Sequence, residues 1–422
     1  MKALLMGYYG NRNLGDEMML VCLRRWLARQ GVSVTVLSEC PEEVSDTHGL
    51  PAVHNWPLLG EWAWRRALLR GGAADVLRAI KAHDVLIVGG GDLIRDDMGW
   101  RNFFFSMEKI VAAIAMSKPV CLVNVGIGRP HTAYGKRLLR WILPRVNQIV
   151  VRDHRSVALC REFGADSRTT FAPDVVLTLP ASMEIADAAE DAARPYLVVA
   201  LRESANTFGQ YELNERRIHH LAAAFDDILE RRNIDIVFLP FQAQAEADDN
   251  RLHHRIADGM QHKARVRIEA WSRNVADAAE CIRAAQAVVA MRLHAAVLAA
   301  GFGRPCVVMP YDFKLREFVD LMSGAIVVEA DSLDRAGDFP HALDEVLSAF
   351  PVKRASQAAE ELSLSALTSW KNLNLSLSSD RRSSVPSMGP KLASLSAAAA
   401  GSPNGGTRVP QLGKPGAKGD ES

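Results

Sequence analysis

Short apolar runs alternate along this chain with longer stretches that are apolar on one side only, a pattern that predicts βαβ units built on parallel sheets. Residues 2–6 (KALLM) read as a strand that turns through "GYYGNRNLGDE" into a helix stopping near Gly31, with residues 32–37 as the next strand. "AHDVLIVGGGDL" is a strand running into glycines and "KPVCLVNVGIG" is another. "QIVVRDHRS" is a short strand opening onto a helix that ends near Gly164. A second series follows, in which PYLVVALRES, IDIVFLPF, ARVRIEAW, QAVVAMRLH and GRPCVVMPYD are strands separated by amphipathic helices. The expected organisation is α/β: a Rossmann-like domain over 1–180, an acidic Ala-rich linker over 181–194 and a second Rossmann-like domain over 195–355. A helix over 356–374 and a disordered Ser/Pro/Gly tail over 375–422 complete it. Two open sheets facing a cleft would place ligands at the carboxyl ends of their strands.

Composition narrows the partners. A formal charge of +1 offers no global attraction to nucleic acid, so a charged ligand must be met by a local patch. The cysteines (Cys22, Cys40, Cys121, Cys160, Cys281, Cys306) are scattered without a CxxC pair, which points to a reduced protein with no zinc site. The opening MKALLMGYY is too short for a signal peptide, and no apolar stretch approaches the ~18 residues of a membrane span. The expected location is therefore the cytoplasm.

Three strand-to-helix turns carry glycines: Gly7, Gly10 and Gly15 before Asp16; Gly89, Gly90 and Gly91 before Asp92; and Gly126 and Gly128 before Arg129. Glycines let backbone amides approach a ligand, and a helix start favours an anion, although glycine at a strand-to-helix turn also serves tight packing alone. Neither nucleotide fingerprint, GxGxxG or GxxxxGK[ST], is present. Asp16 and Asp92 would repel phosphate, so they read either as first-turn acids complementing the helix dipole or as groups facing sugar hydroxyls. "AMRLHAAVLAAGFGRPCVVMPYDFK" places Arg292 and His294 where a strand hands over to a helix, and Lys314 just after the following strand. Arg152 ends "QIVVRD". Cations around one histidine suit a small anion carrying carboxylate and phosphate, with the imidazole free to donate a proton. The competing reading pairs Arg152 with Asp153, leaves Lys314 solvated and makes His294 a half-buried packing residue.

Taken in order, "GYYGNRNLGDE", "GGGDLIRD", "GIG", "VVRDHRS", "PDVVL", "MRLHAAVLAAGFGRP" and "YDFK" resemble the polysaccharide pyruvyl transferase family, over about residues 1–325. The resemblance implies a fold similar to GT-B glycosyltransferases and a metal-independent transfer. Phosphoenolpyruvate would be the donor substrate, with no cofactor. The acceptor would be a sugar of a cell-surface polysaccharide or a lipid-linked oligosaccharide precursor. By motif, His294 matches the histidine that protonates the donor's methylene carbon, and Lys314 and Arg152 match cations on its carboxylate and phosphate. Arg155 is the alternative to Arg152, and Arg292 is a further anion contact. The glycine loops with Asp16, Gly89, Gly90, Gly91, Asp92, Gly126 and Gly128 are expected on the acceptor side. The sequence departs from the pattern at GGGD, where a fourth glycine is usual, and at "PDVVLTLP", where Asp-Pro-Ala is. The absence of a DxD triplet argues against a metal-dependent GT-A enzyme.

Two basic, Trp-containing stretches read either as solvated basic faces over packed apolar ones or as peripheral contacts with an anionic membrane at the inner face of the plasma membrane. One has Trp62, Trp64, Arg65, Arg66 and Arg70; the other has Lys136, Arg137, Arg140, Trp141 and Arg145. The paired histidines His219–His220 and His253–His254 read as surface or packing residues. Two alternatives stand beside the pyruvyl transfer reading. One is a GT-B glycosyltransferase with a nucleotide-sugar donor; the other is a non-catalytic sugar- or anion-binding relative.

Overall fold

The computed structural model describes residues 1–58, 72–91, 93–96, 100–183, 194–202, 213–245, 247–311, 313–319, 322, 325–335, 337–348 and 352–377. Asp92, most of the 181–194 connection, Trp62 to Arg70 and nearly all of the 375–422 tail lie outside them.

The first half runs β1 (Lys2–Met6), α1 (Leu14–Ala28), β2 (Ser33–Ser38), α2 (Pro41–His48), β3 (Ala52–His54), α3 (Gly72–Ala82) and β4 (Val85–Gly89). It continues through α4 (Trp100–Ala115), β5 (Val120–Val125), α5 (Ala133–Ile142), β6 (Gln148–Val151), α6 (His154–Glu162) and β7 (Thr169–Phe171). These strands form one parallel seven-stranded sheet in the order β3-β2-β1-β4-β5-β6-β7, with Leu4 paired to Leu86 and Leu86 to Val120. β4 and β5 are buried along their whole length, as parallel strands covered on both faces must be.

The second half opens with β8 (Tyr196–Ala200), α7 (Glu215–Arg231), β9 (Asp235–Phe238), a small hairpin of β10 (Ala243–Gln244) and β11 (Ala247–Asp248), and α8 (Asp249–Asp258). There follow β12 (Val266–Ile268), α9 (Val275–Ala284), β13 (Ala287–Ala290), α10 (Leu293–Gly301) and β14 (Cys306–Val308). α11 (Phe313–Val319), β15 (Ala325–Val327), α12 (Asp338–Ser348) and α13 (Val352–Asn372) complete it. The second sheet is parallel and six-stranded, in the order β12-β9-β8-β13-β14-β15. Strand order reverses at β1/β4 in one sheet and at β8/β13 in the other, the places where doubly wound sheets open a crevice.

Two features join the halves. α10 (LHAAVLAAG) is buried throughout residues 295–301 and packs between α1, the turn at 175–178 and α13. An apolar sequence with no polar face is what such a position requires. Trp370 of α13 meets Trp26 edge-on at 5.4 Å and donates to the Pro173 carbonyl at 2.8 Å. The loop before α1 is also strapped to the hairpin loop: Leu14 N donates to Phe241 O at 2.7 Å, and Ala243 N to Arg12 O at 3.1 Å.

Candidate active site

His294 lies in the first turn of α10, immediately after β13 ends, because the helix starts where the strand reaches the sheet rim. Its side chain is 12% exposed, and Nε2 stands 3.8 Å from Asp174 Oδ2 with no hydrogen-bond partner. The other edge of the ring faces Gly15, where a Cβ would come within 2.1 Å of Nδ1. Glycine is required there for packing: a side chain at the start of α1 would displace the imidazole. Burial pulls the His294 pKa down to about 4, with Asp174 opposing and Arg152 and Arg292 adding to the fall. The ring is thus neutral at pH 7.

Arg152 follows β6 and pairs with Asp174 at 2.6 Å, both side chains being almost wholly buried. The pairing with Asp153 does not form. Asp153 is the N-cap of α6, accepting from Ser156 N at 2.7 Å and from its hydroxyl at 2.7 Å. Asp174 also caps the short turn that follows, accepting from Val176 N. Burial acts to raise its carboxyl, but Arg152, His294 and the Val176 amide outweigh that and hold it below the usual range. Asp174 is the site residue that sequence reasoning missed; the "PD" before the apolar VVL run was its only signal. Arg155 reaches across to Glu317 of α11 and leaves the cluster.

Lys314, in the first turn of α11, is close enough to Asp16 for each to act on the other's titration. Burial brings its amine down to about 7, against Asp16. Asp16 stands in the first turn of α1, 9% exposed, with Oδ1 3.4 Å from where a Cβ on Gly91 would sit. Its neighbour Glu17 is occupied otherwise, accepting from Gly10 N at 2.8 Å and contacting His48 Nε2 at 2.6 Å.

Arg292 is placed differently from the expected ligand contact. Its guanidinium binds Asp249 through two nitrogens and donates to Gln242 Oε1 at 3.0 Å. Asp249 in turn accepts from the amides of Phe241 and Gln242, each at 3.0 Å. Arg292 therefore anchors the hairpin loop and reaches the site as fixed positive charge acting on Asp16 and His294. The glycine turns also differ from a cradle of open amides. Gly90 N donates to Val123 O, Gly126 N to Gly91 O and Gly128 N to Ile94 O. The loops after β4 and β5 are zipped together, and positive φ at Gly90 and Gly91 shapes the turn that admits Asp16.

One further cation stands at this rim unannounced by the sequence. Arg202, just beyond β8, lies with Cζ 4.4 Å over the ring of Tyr311, and its buried Nε has no hydrogen-bond partner. Among the described residues no group of three His, Cys, Asp or Glu side chains gathers as a metal would need.

Residues 13–313, which carry every member of this cluster except Lys314, match the family described as Polysaccharide pyruvyl transferase. The chain belongs to that family. None of the curated proteins matches its sequence. Among solved structures, S. aureus MnaA with UDP aligns at TM-score 0.58 and 10% identity over 87% of this chain and 94% of that one. UDP-GlcNAc 2-epimerase from Methanocaldococcus jannaschii gives 0.55 and 12%, over 86% and 100%. Anabaena HepE with UDP and glucose gives 0.52 and 13%, over 88% and 95%. At these identities the likeness is one of fold, and the fold is GT-B-like. Family membership makes the chain a transferase of polysaccharide biosynthesis.

Proposed function

We propose that this family member transfers pyruvate from phosphoenolpyruvate, as a ketal, onto a sugar of a cell-surface polysaccharide or of its lipid-linked precursor. The reading rests above all on His294 seated against Asp174 and Arg152 at the rim where Lys314 also stands. The donor carries a carboxylate and a phosphate, and Arg152, Lys314 and Arg202 supply positive charge for them. Their arrival beside the imidazole raises its proton affinity, so the donor charges its own acid. His294 then protonates the methylene carbon, a sugar hydroxyl adds to C2, and a second hydroxyl of that sugar displaces phosphate. No step calls on a metal.

Incubation with phosphoenolpyruvate and a panel of lipid-linked disaccharides tests this directly. The expected result is release of phosphate together with the mass of one pyruvate ketal on a disaccharide. Stabilisation of the protein by UDP but not by phosphoenolpyruvate, with no ketal formed, would instead support a nucleotide-sugar enzyme. At a ligand concentration of 100 Kd the stabilisation amounts to about 2.7 kcal/mol, large enough to read in a melting curve.

We place the reaction in the cytoplasm, at the inner face of the membrane that holds the acceptor. No described helix is long and apolar enough to cross a membrane. Support comes from α5, whose outer face shows Lys136, Arg137, Arg140, Trp141 and Tyr134, with Arg145 4.7 Å over the Trp141 ring. Basic residues around exposed aromatic rings suit an anionic interface. Vesicles containing phosphatidylserine should sediment the protein at low salt and release it at high salt. Sedimentation no greater than with neutral vesicles would remove this part of the reading.

A further inference from the structure

Asp16 presents an anomaly that the donor chemistry does not use. Its side chain is about nine-tenths buried, yet among the described residues none donates a hydrogen bond to its carboxylate. Buried carboxylates are almost always hydrogen-bonded within the protein, whereas the oxygens of this one are neither paired nor among the enclosed unpaired atoms and so remain open to a ligand. It is not hidden in the core: it stands at the β1/β4 switch point, beside the Gly91 turn and one residue from the glycine against His294. Among the described residues, charged groups on several neighbouring elements act on it: Glu17 on α1, Arg152 after β6, Arg292 before α10 and Lys314 on α11, with the Tyr9 phenol after β1 also facing it. A carboxylate repels the donor's carboxylate and phosphate. What it can take is an O–H.

We propose that Asp16 is the catalytic base for the acceptor, receiving first the hydrogen bond and then the proton of a sugar hydroxyl as the ketal closes. The inference rests on the pyruvyl transfer reading and assigns it a second proton-transfer group. Ketal formation removes two protons from the diol. One replaces the proton that His294 delivers to C3 of the donor. As the second oxygen bonds to C2, the C2–O bond to phosphate breaks and its electron pair leaves with the phosphate oxygen. The second hydroxyl proton passes to Asp16 and departs on phosphate, which is released as monohydrogen phosphate. The three negative charges of the donor become one on the ketal and two on phosphate. The acceptor is thereby a sugar whose two reacting hydroxyls lie within reach of one carboxylate.

Burial first, and Glu17 second, raise the Asp16 carboxyl to about 8, with Arg152, Arg292 and Lys314 pulling the other way. A group whose folded pKa is raised keeps in the folded state a proton that the unfolded chain gives up above pH 4. Its contribution to stability therefore falls as pH rises from about 4 to about 8. The base becomes competent at the alkaline end of the same window.

Asp16→Asn, which keeps the shape and removes the basicity, separates the possibilities. The expected result is a 10²- to 10³-fold loss of kcat for ketal formation. Half-saturation by phosphoenolpyruvate should stay within about 3-fold, and the rise of kcat toward pH 8 should vanish. The variant should also melt increasingly above the wild type as pH goes from 5 to 8. Asp16→Ser provides the same readouts if the Asn variant does not fold. Turnover within about 3-fold of wild type on an unchanged pH profile overturns the proposal, as does loss of donor binding in step with activity. A wild type that forms no ketal with any diol takes the underlying reading down with it, which is a different and separable outcome.

Discussion

His294→Asn should lower ketal formation by about 10²- to 10⁴-fold, the usual contribution of a positioned general acid, while phosphoenolpyruvate still binds. Asparagine fills much the same space and can donate to Asp174, so Gly15 and the start of α10 keep their packing. The cations proposed to hold the donor, Arg152 and Lys314, are untouched. What is lost is a proton able to reach carbon. Since burial holds the imidazole near 4, the free enzyme at pH 7 carries it neutral, and donor binding would bring in a proton. Calorimetry in buffers of different ionisation enthalpy should show that uptake in the wild type and not in the variant. The pH sign follows: above about 4 the acid form of the free enzyme becomes scarcer while Asp16 gains its basic form, so the two trends offset in the wild type, and in Asp16→Asn, which lacks the second, kcat/KM should fall as pH rises through neutrality. A variant retaining ketal formation within about 5-fold would remove His294 from the chemistry.

Much of this was open to reading because parallel sheets impose a simple signature. Strands covered on both faces are continuous apolar runs, and β4, β5, β8 and β13 stand out for that reason. Each such run ends at the sheet rim, so a charged residue beyond it falls at the crevice, as Arg152, Arg292, His294 and Lys314 do. Partners were not legible, because strand ends bring together residues that sequence separates. Asp153 is next to Arg152 yet turns away to cap a helix, while Asp174, at the end of the neighbouring strand β7, receives the guanidinium. Arg292 finds Asp249 43 positions away. His253, read as a surface or packing residue, is the latter: it is wholly buried and bonded to the Leu201 carbonyl at 3.1 Å, just before Arg202, a partner the sequence did not show. The glycine turns allowed two readings, tight packing or amides open to a ligand, and only the fold shows that two adjacent loops satisfy each other's backbone groups.

The Arg292–Asp249 pair shows how a residue of the most specific motif serves the site from a distance, and Asp249→Ala should reveal it. Both side chains are more than nine-tenths buried, and the carboxylate meets two guanidinium nitrogens and two backbone amides at once. Removing it strands a buried cation and orphans the amides of Phe241 and Gln242, a combination that typically destabilises by about 3–5 kcal/mol. The damage should not stay local, because Phe241 and Ala243 tie the hairpin loop to the start of α1. That start carries Gly15 and Asp16, so donor affinity and turnover should fall together with stability. Asp227→Ala is the control: its partner Arg231 is 43% exposed, and such surface pairs are worth 0–1 kcal/mol. Urea midpoints for the two variants decide the matter. If Asp249→Ala is no more harmful than Asp227→Ala, the pair does not anchor the hairpin loop, and Arg292 becomes available again as a ligand contact. If Asp249→Leu with Arg292→Met recovers stability but not turnover, the pair exists to aim the loop, since an apolar replacement can match a buried ion pair in stability but not in geometry.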